Sequence, residues 1–148
     1  MEKGNKVKEL VKKYNINLEN LKKEQEKLAK QLSIKDVIDF SNISRIGAIE
    51  TTFFQNKIIS GIVVMSEGEV IEQKYFTDKV KFPYIPGFRA YRELAAMIEC
   101  YNRLEEKPEL ILIHGHGIAH DRLGIASHFS LAAGIPSIGI ADSLLAGE

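Results

Sequence analysis

Apolar and polar positions along the chain change period at about residue 45, and that change divides it into a helical beginning and a strand-rich remainder. Residues 2–14 and about 17–32 carry charge-rich helical patterns separated by Asn15-Ile16-Asn17, with Leu18, Leu21, Leu28 and Leu32 recurring on one face of the second. Asp39–Ser44, rich in Ser and Asn, reads as a linker. From Arg45 the period is that of strands, at 46–53, 57–66 and 69–76, joined by short turns at Gln55-Asn56 and Glu67-Gly68. This predicts an antiparallel meander. A loop follows, then a helix over about 88–104, a strand at 110–113, a helix over 121–133 that Asp121 can cap, and a last strand at 137–141. Strand and helix alternation after a meander predicts an α/β fold, a mixed sheet with helices on its faces.

Composition narrows the class. With 148 residues and 45% hydrophobic positions the chain has the length and apolar content of one domain. Twenty basic residues balance twenty acidic ones, so bulk charge argues neither for a histone-like partner nor for a membrane surface. Residues 1–31 hold nine Lys against five Glu, so the carboxylates concentrate in the remainder. The lysines of the first helices read as a solvated face or, more weakly, as a grip on a phosphate backbone. A single cysteine, Cys100, falls in a helical pattern and reads as a reduced core or boundary residue of a cytoplasmic protein without disulfides. The longest apolar run, 58–65, is far short of the ~20 residues that span a bilayer.

The chemistry gathers in residues 109–128, which contain all four histidines, His114, His116, His120 and His128. Gly115 and Gly117 break the strand where polar residues begin, so candidate chemistry sits at a strand's C-terminal end. A strand, glycine turn and helix in this order can leave backbone N–H groups free for a phosphate or a base edge; equally, it is a tight turn with histidines satisfied by carbonyls. Glu50 is an acid amid apolar neighbours, which either alternates outward or binds something. Phe82-Pro83-Tyr84-Ile85-Pro86-Gly87 places two aromatics and two prolines in six residues. That is a stiff loop suited to wedging against a base, or a rigid connection with Tyr84 packed on the core.

Five blocks in their order and spacing resemble one family: Phe82–Gly87; Arg92-Glu93; Gly115-His116-Gly117-Ile118-Ala119-His120; Leu123-Gly124-Ile125-Ala126-Ser127-His128; and Ile135-Pro136-Ser137-Ile138-Gly139. The chain resembles endonuclease V over about residues 46–147, and the Pro-Tyr-Ile-Pro-Gly and Gly-x-Gly-x-Ala-His blocks are the specific ones. The resemblance implies a ribonuclease H-like core at 45–147 behind a helical extension at 1–40. It also implies a metal-dependent nuclease that recognises hypoxanthine in DNA or RNA and cuts on its 3′ side. On that resemblance the loop Pro83, Tyr84, Ile85, Pro86 and Gly87 is the strand-separating wedge, and Gly115, His116 and Gly117 line a pocket for the extruded base. Glu50, Glu93 and His114 are the implied metal ligands and His120 stands near the scissile phosphate. The implied cofactor is Mg²⁺.

The resemblance is imperfect where the catalysis would be. The family has Asp at the positions of Glu50 and His114 and Lys at that of Asp142; only Glu93 keeps the family's carboxylate. An imidazole at 114 favours Mn²⁺ or Zn²⁺ over Mg²⁺. The strand order of such a fold places the ends carrying Glu50, His114 and Asp142 side by side, so Asp142 is a candidate to restore the lost carboxylate. The family also continues through a C-terminal portion after the position of Gly147. Two readings follow, a working variant endonuclease and a homologue that binds nucleic acid without cutting; an interaction module that binds no nucleic acid stands behind them. Monomer and homodimer are both open.

Overall fold

A computed structural model describes residues 2–145 of the chain, so the last residues of the 45–147 segment lie outside the described part. Helices α1 (Glu2–Lys13) and α2 (Leu18–Ala29) come first, followed by a short 3₁₀ turn, Phe40–Asn42. Strands β1 (Arg45–Phe54), β2 (Lys57–Ser66) and β3 (Glu69–Lys79) form the predicted meander. Then come α3 (Arg89–Asn102), β4 (Leu110–His114), α4 (Ile125–Ala133) and β5 (Ser137–Ile140). The sheet order is β3-β2-β1-β4-β5, antiparallel across the meander and parallel from β1 to β4 and from β4 to β5. Among the described residues no helix is long and apolar enough to cross a membrane.

Local chemistry accounts for the boundaries. Asn17 caps α2 by accepting from the Asn20 N–H at 3.1 Å. The two hairpin turns use positive φ at Gln55 (53°), Glu67 (52°) and Gly68 (84°), which matches the twist of the flanking strands. The Glu109 carboxylate fixes where β1 starts by accepting from the backbone N–H groups of Ser44 and Arg45, at 3.0 and 2.7 Å; these hydrogen bonds hold its carboxyl below the usual range.

The helix expected over 121–133 begins instead at Ile125, with Gly124 rather than Asp121 at its N-cap. Residues 117–122 fold as successive bends because Gly124 lies directly against the backbone of His116 and Gly117. A Cβ there would come within less than 3.0 Å of both carbonyl oxygens. The first α4 turn is held by the 3.0 Å hydrogen bond from the Ala126 N–H to the His116 carbonyl.

Helices α3 and α4 pack on one face of the sheet and bury Ile49, Ile62, Val64, Met97, Cys100, Ile111, Ile113 and Phe129 between the layers. Cys100 is fully buried, the core rather than the boundary placement, and Phe129 meets the Tyr101 ring edge-on at 5.7 Å between centroids. Burial of large aromatics dominates such a core. Phe129→Ala is expected to lower the unfolding free energy by about 3–5 kcal/mol in urea titrations. Ile34→Ala, at a side chain 78% exposed, should leave the midpoint essentially unmoved.

Candidate active site and nucleic-acid interface

Strand alternation decides which carboxylates can meet. Along β1, Ile49 and Thr51 face α3 whereas Glu50 points to the opposite side of the sheet. Glu93, on α3, therefore meets Thr51 and not Glu50: the Thr51 hydroxyl donates to its Oε2, and Arg89 Nε donates to its Oε1 at 2.9 Å. Glu93 is only 4% exposed, so this i,i+4 ion pair and the hydroxyl are what keep a buried carboxylate satisfied. The guanidinium of Arg89 lies against the glycine turn, with its Nη1 2.8 Å from where a Cβ on Gly115 would stand.

On the other side, β1, β4 and β5 bring Glu50, His114 and Asp142 together at three neighbouring strand ends, the adjacency expected of the strand order. Glu50 does alternate outward, and its Oε2 pairs with His114 Nδ1. Asp142 Oδ2 lies 3.4 Å from His114 Nε2. One imidazole is thus flanked by two carboxylates, all three side chains well exposed.

The predicted metal set divides between the two faces. The fit to a divalent ion is poor: both Glu93 oxygens are engaged, and Glu50 and Asp142 sit on opposite nitrogens of one ring. Among the described residues no three of His, Cys, Asp and Glu converge on one point. The residues as arranged do not form a metal centre.

The other histidines are held by the backbone. His116 Nε2 bonds the Ser143 carbonyl at 2.8 Å, which closes the end of β5 over the turn. His120 Nδ1 accepts from the Arg122 N–H at 3.0 Å; burial, reinforced by the Arg122 charge, pushes its pKa down. His128 is 8% exposed, its Nδ1 has no hydrogen-bond partner among the described residues, it sits edge-on to Tyr91, and its pKa is likewise pushed down by burial. The backbone N–H groups expected to stand free beside the glycine turn are spoken for in part: Ala126 N–H goes to His116 O and Gly115 N–H to Ile140 O at 2.7 Å.

The aromatic loop projects. Pro83 and Ile85 are buried, Pro86 is exposed, and Tyr84 between the buried pair is 63% exposed rather than packed on the core. At the loop's end the Gly87 carbonyl accepts from Gln25 Nε2 at 3.0 Å and Arg122 Nη2 at 3.3 Å, while Gln25 Oε1 accepts from Arg122 Nε at 2.7 Å. Gln25 is 1% exposed in the middle of the apolar face of α2, a polar residue that helical periodicity alone does not single out. Gly87 itself has φ +81°, and Arg122 Nη2 lies 2.7 Å from a Cβ placed there, so only glycine suits the position.

Two outcomes test this geometry. Arg89→Met removes one partner of a buried pair and should destabilise the domain by about 2 kcal/mol, a figure below the 3–5 of fully buried pairs because Arg89 is a third exposed. Adding Glu93→Gln should recover part of that loss in denaturant titrations. Secondly, a histidine whose folded pKa lies below its unfolded value of about 6.5 takes up protons more readily when unfolded. The stability contributed by neutral His120 and His128 is therefore complete above about pH 6.5 and declines as pH falls toward their folded pKa values. His128→Gln should flatten the fall in melting temperature between pH 7 and 5.

Comparison with known proteins places these features. The family model described as Endonuclease V matches residues 26–148. Among curated proteins, endonuclease V of Dictyoglomus thermophilum is 39% identical over 126 residues, covering 82% of this chain and 55% of its own length. That of Rippkaea orientalis is 37% identical over 137 residues, covering 89% and 59%. The solved Bacillus subtilis endonuclease V superposes with a TM-score of 0.82 at 27% identity over 88% of this chain and 58% of its own. The Ciona intestinalis enzyme, solved in complex with DNA containing an inosine, shares the fold with a TM-score of 0.81 at 24% identity, over 86% and 58%. The chain thus spans a little over half the length of the relatives it matches. A matching family model over most of the sequence, a ribonuclease H-like sheet and the two sequence blocks at the loop and the glycine turn agree, and the chain belongs to the endonuclease V family.

Proposed function

We propose that this domain recognises a deaminated purine, hypoxanthine, in DNA or RNA by binding it, without cutting the strand through its own carboxylates. The observation that carries the reading is Tyr84, a ring held out to solvent between two buried neighbours, on a loop that leads within two residues to the Arg89 side chain at the glycine turn. Inserting an aromatic ring between bases compensates for lost stacking, and a base that pairs weakly is the cheapest to extrude. Pro83, Ile85, Pro86 and Gly87 stiffen the wedge; Gly115, His116 and Gly117 line the pocket. Within the helical extension at 1–40, helix α2 works as one unit with the core at 45–147, since Gln25 anchors the loop's base. The inosine-containing DNA held by the Ciona relative agrees with this substrate class. We place the protein in the cytoplasm, acting on nucleic acid as either monomer or homodimer.

The carboxylates support the non-cutting half. Family chemistry calls for a divalent ion that activates water and neutralises charge on the phosphate oxygens. Here Glu93 is paired to Arg89, and Glu50 and Asp142 to His114. A second reading, a metal-dependent endonuclease using Mg²⁺ or Mn²⁺, is favoured by one observation: Glu50, His114 and Asp142 share three adjacent strand ends and stay accessible. In it Glu50, Glu93 and His114 would rearrange around the ion, Asp142 would supply a carboxylate, and His120 would stand by the phosphate.

Single- and double-stranded oligonucleotides carrying one hypoxanthine separate the readings when offered with Mg²⁺, Mn²⁺ or EDTA. The expected result is lesion-selective binding, unchanged in EDTA, with no cleavage. Tyr84→Ala should lower lesion affinity on the order of tenfold, the worth of one stacked base. Cutting on the 3′ side that disappears in Glu93→Ala would establish the endonuclease instead, and equal affinity for hypoxanthine and adenine would remove both.

A further inference from the structure

We infer that Arg89 is the residue that reads the extruded base, donating from its guanidinium to the O6 and N7 edge of hypoxanthine. The inference rests on the base-binding reading above and adds a specificity-determining residue to it. Three observations converge on this side chain. Its Nε is fixed by a 2.9 Å hydrogen bond to Glu93, a carboxylate buried to 4% exposure and braced in turn by Thr51. Its guanidinium lies against Gly115, in the glycine turn that the proposed pocket is built on, where a side chain at 115 would strike both Arg89 and Ile125. Its two terminal nitrogens make no hydrogen bond to any described residue, and the side chain is 33% exposed, so donors remain on offer.

Charge selects the kind of ligand. The Arg89 cation is already matched by Glu93, and the carboxylates of Glu50 and Asp142 stand at the neighbouring strand ends. A phosphate brought here would therefore meet no net positive charge from this pair. A neutral base edge needs none, and a pinned guanidinium is a planar pair of donors. Arginine paired with a purine O6 and N7 is the commonest specific contact between a side chain and a base edge. Hypoxanthine presents two acceptors there, O6 and N7, whereas adenine presents N7 and a donating amino group. Adenine would therefore set donor against donor and leave a guanidinium N–H unpaired in the pocket. Guanine shares the hypoxanthine edge, so its exclusion falls to the cost of extruding a strongly paired base rather than to Arg89.

The experiment is a set of anisotropy titrations in EDTA with oligonucleotides that carry hypoxanthine, adenine, unsubstituted purine (no O6) or 7-deazahypoxanthine (no N7) at one position. The wild-type protein should prefer hypoxanthine to purine and to adenine on the order of tenfold, and to the 7-deaza base several-fold. Arg89→Met should bind hypoxanthine, purine and the 7-deaza base alike while keeping the wild-type affinity for an abasic site, which a merely structural loss would also lower. Arg89→Lys, which keeps the charge without the planar fork, should lose the dependence on N7. Equal wild-type affinity for hypoxanthine and its 7-deaza analogue, alongside preference over adenine, would overturn the role of Arg89 and leave base recognition standing; so would an undiminished preference in Arg89→Met or Arg89→Lys. If Arg89→Met does not fold, the wild-type analogue series and Arg89→Lys decide the matter. No preference for hypoxanthine over adenine in the wild type would overturn base recognition and this inference together.

Discussion

The approach of one backbone turn to two others sets the geometry of this domain. Residues 115–117 are wedged between the end of β5 and the start of α4, where a Cβ on Gly139 or on Gly124 would stand less than 3.0 Å from the turn's backbone atoms. Neither position accepts a side chain without moving backbone, so the turn cannot shift to admit one. From this closeness come the delayed start of α4, the use of the Ala126 N–H by the His116 carbonyl, and the link from His116 to the Ser143 carbonyl that draws the end of β5 over the turn. A glycine turn ahead of a helix is commonly an anion site because its donors are free. Here some of those donors are spent on the protein itself, and what the turn presents is a surface for close approach, flanked by the Arg89 guanidinium.

The second constraint is burial of Glu93. A carboxylate taken from water must be paired and hydrogen-bonded or it is destabilising by several kcal/mol. Thr51 and Arg89 supply those partners, one from the strand beneath and one from the turn of helix before it. The same two contacts that make Glu93 tolerable in the core occupy both of its oxygens. A stable resting arrangement and an open coordination site therefore compete for one side chain, and in this chain the resting arrangement is the one formed.

Much of the fold was legible because strands and turns announce themselves locally. The period-two runs, the Gln55-Asn56 and Glu67-Gly68 turns and the alternation after residue 88 recover the element order and place the ends of β1, β4 and β5 together. Tertiary closeness was not legible. Asp121 is a sound cap by composition, but nothing local reveals that Gly124 must touch His116. Gln25 sits in an apolar stripe where a leucine would look natural, and its reason is a carbonyl sixty-two residues away. Nothing in the sequence marks Arg89 as the partner of Glu93; only the packing of α3 on the sheet shows that the pair points inward.

The split of the expected ligand set follows from the same alternation that made the strands easy to recognise. Glu50 and Thr51 are adjacent in sequence and on opposite faces of β1, so a group that pairs with Thr51 from α3 approaches the sheet from the side away from Glu50. Family resemblance aligns Glu50 and Glu93 as members of one site, but alignment records positions and not the direction a side chain takes. In this chain strand alternation and the placing of α3 set that direction, and neighbouring side chains hold it. His114 draws Glu50 and Asp142 to the open face, and Arg89 holds Glu93 against the covered one. Glu93 is matched by the Arg89 cation, and Glu50 and Asp142 share the His114 ring as a hydrogen-bond partner. The fold of the family thereby persists with these carboxylates held by side chains of the chain itself, and in the reading proposed above the surface that acts on nucleic acid is the projecting tyrosine and the pocket beside Arg89.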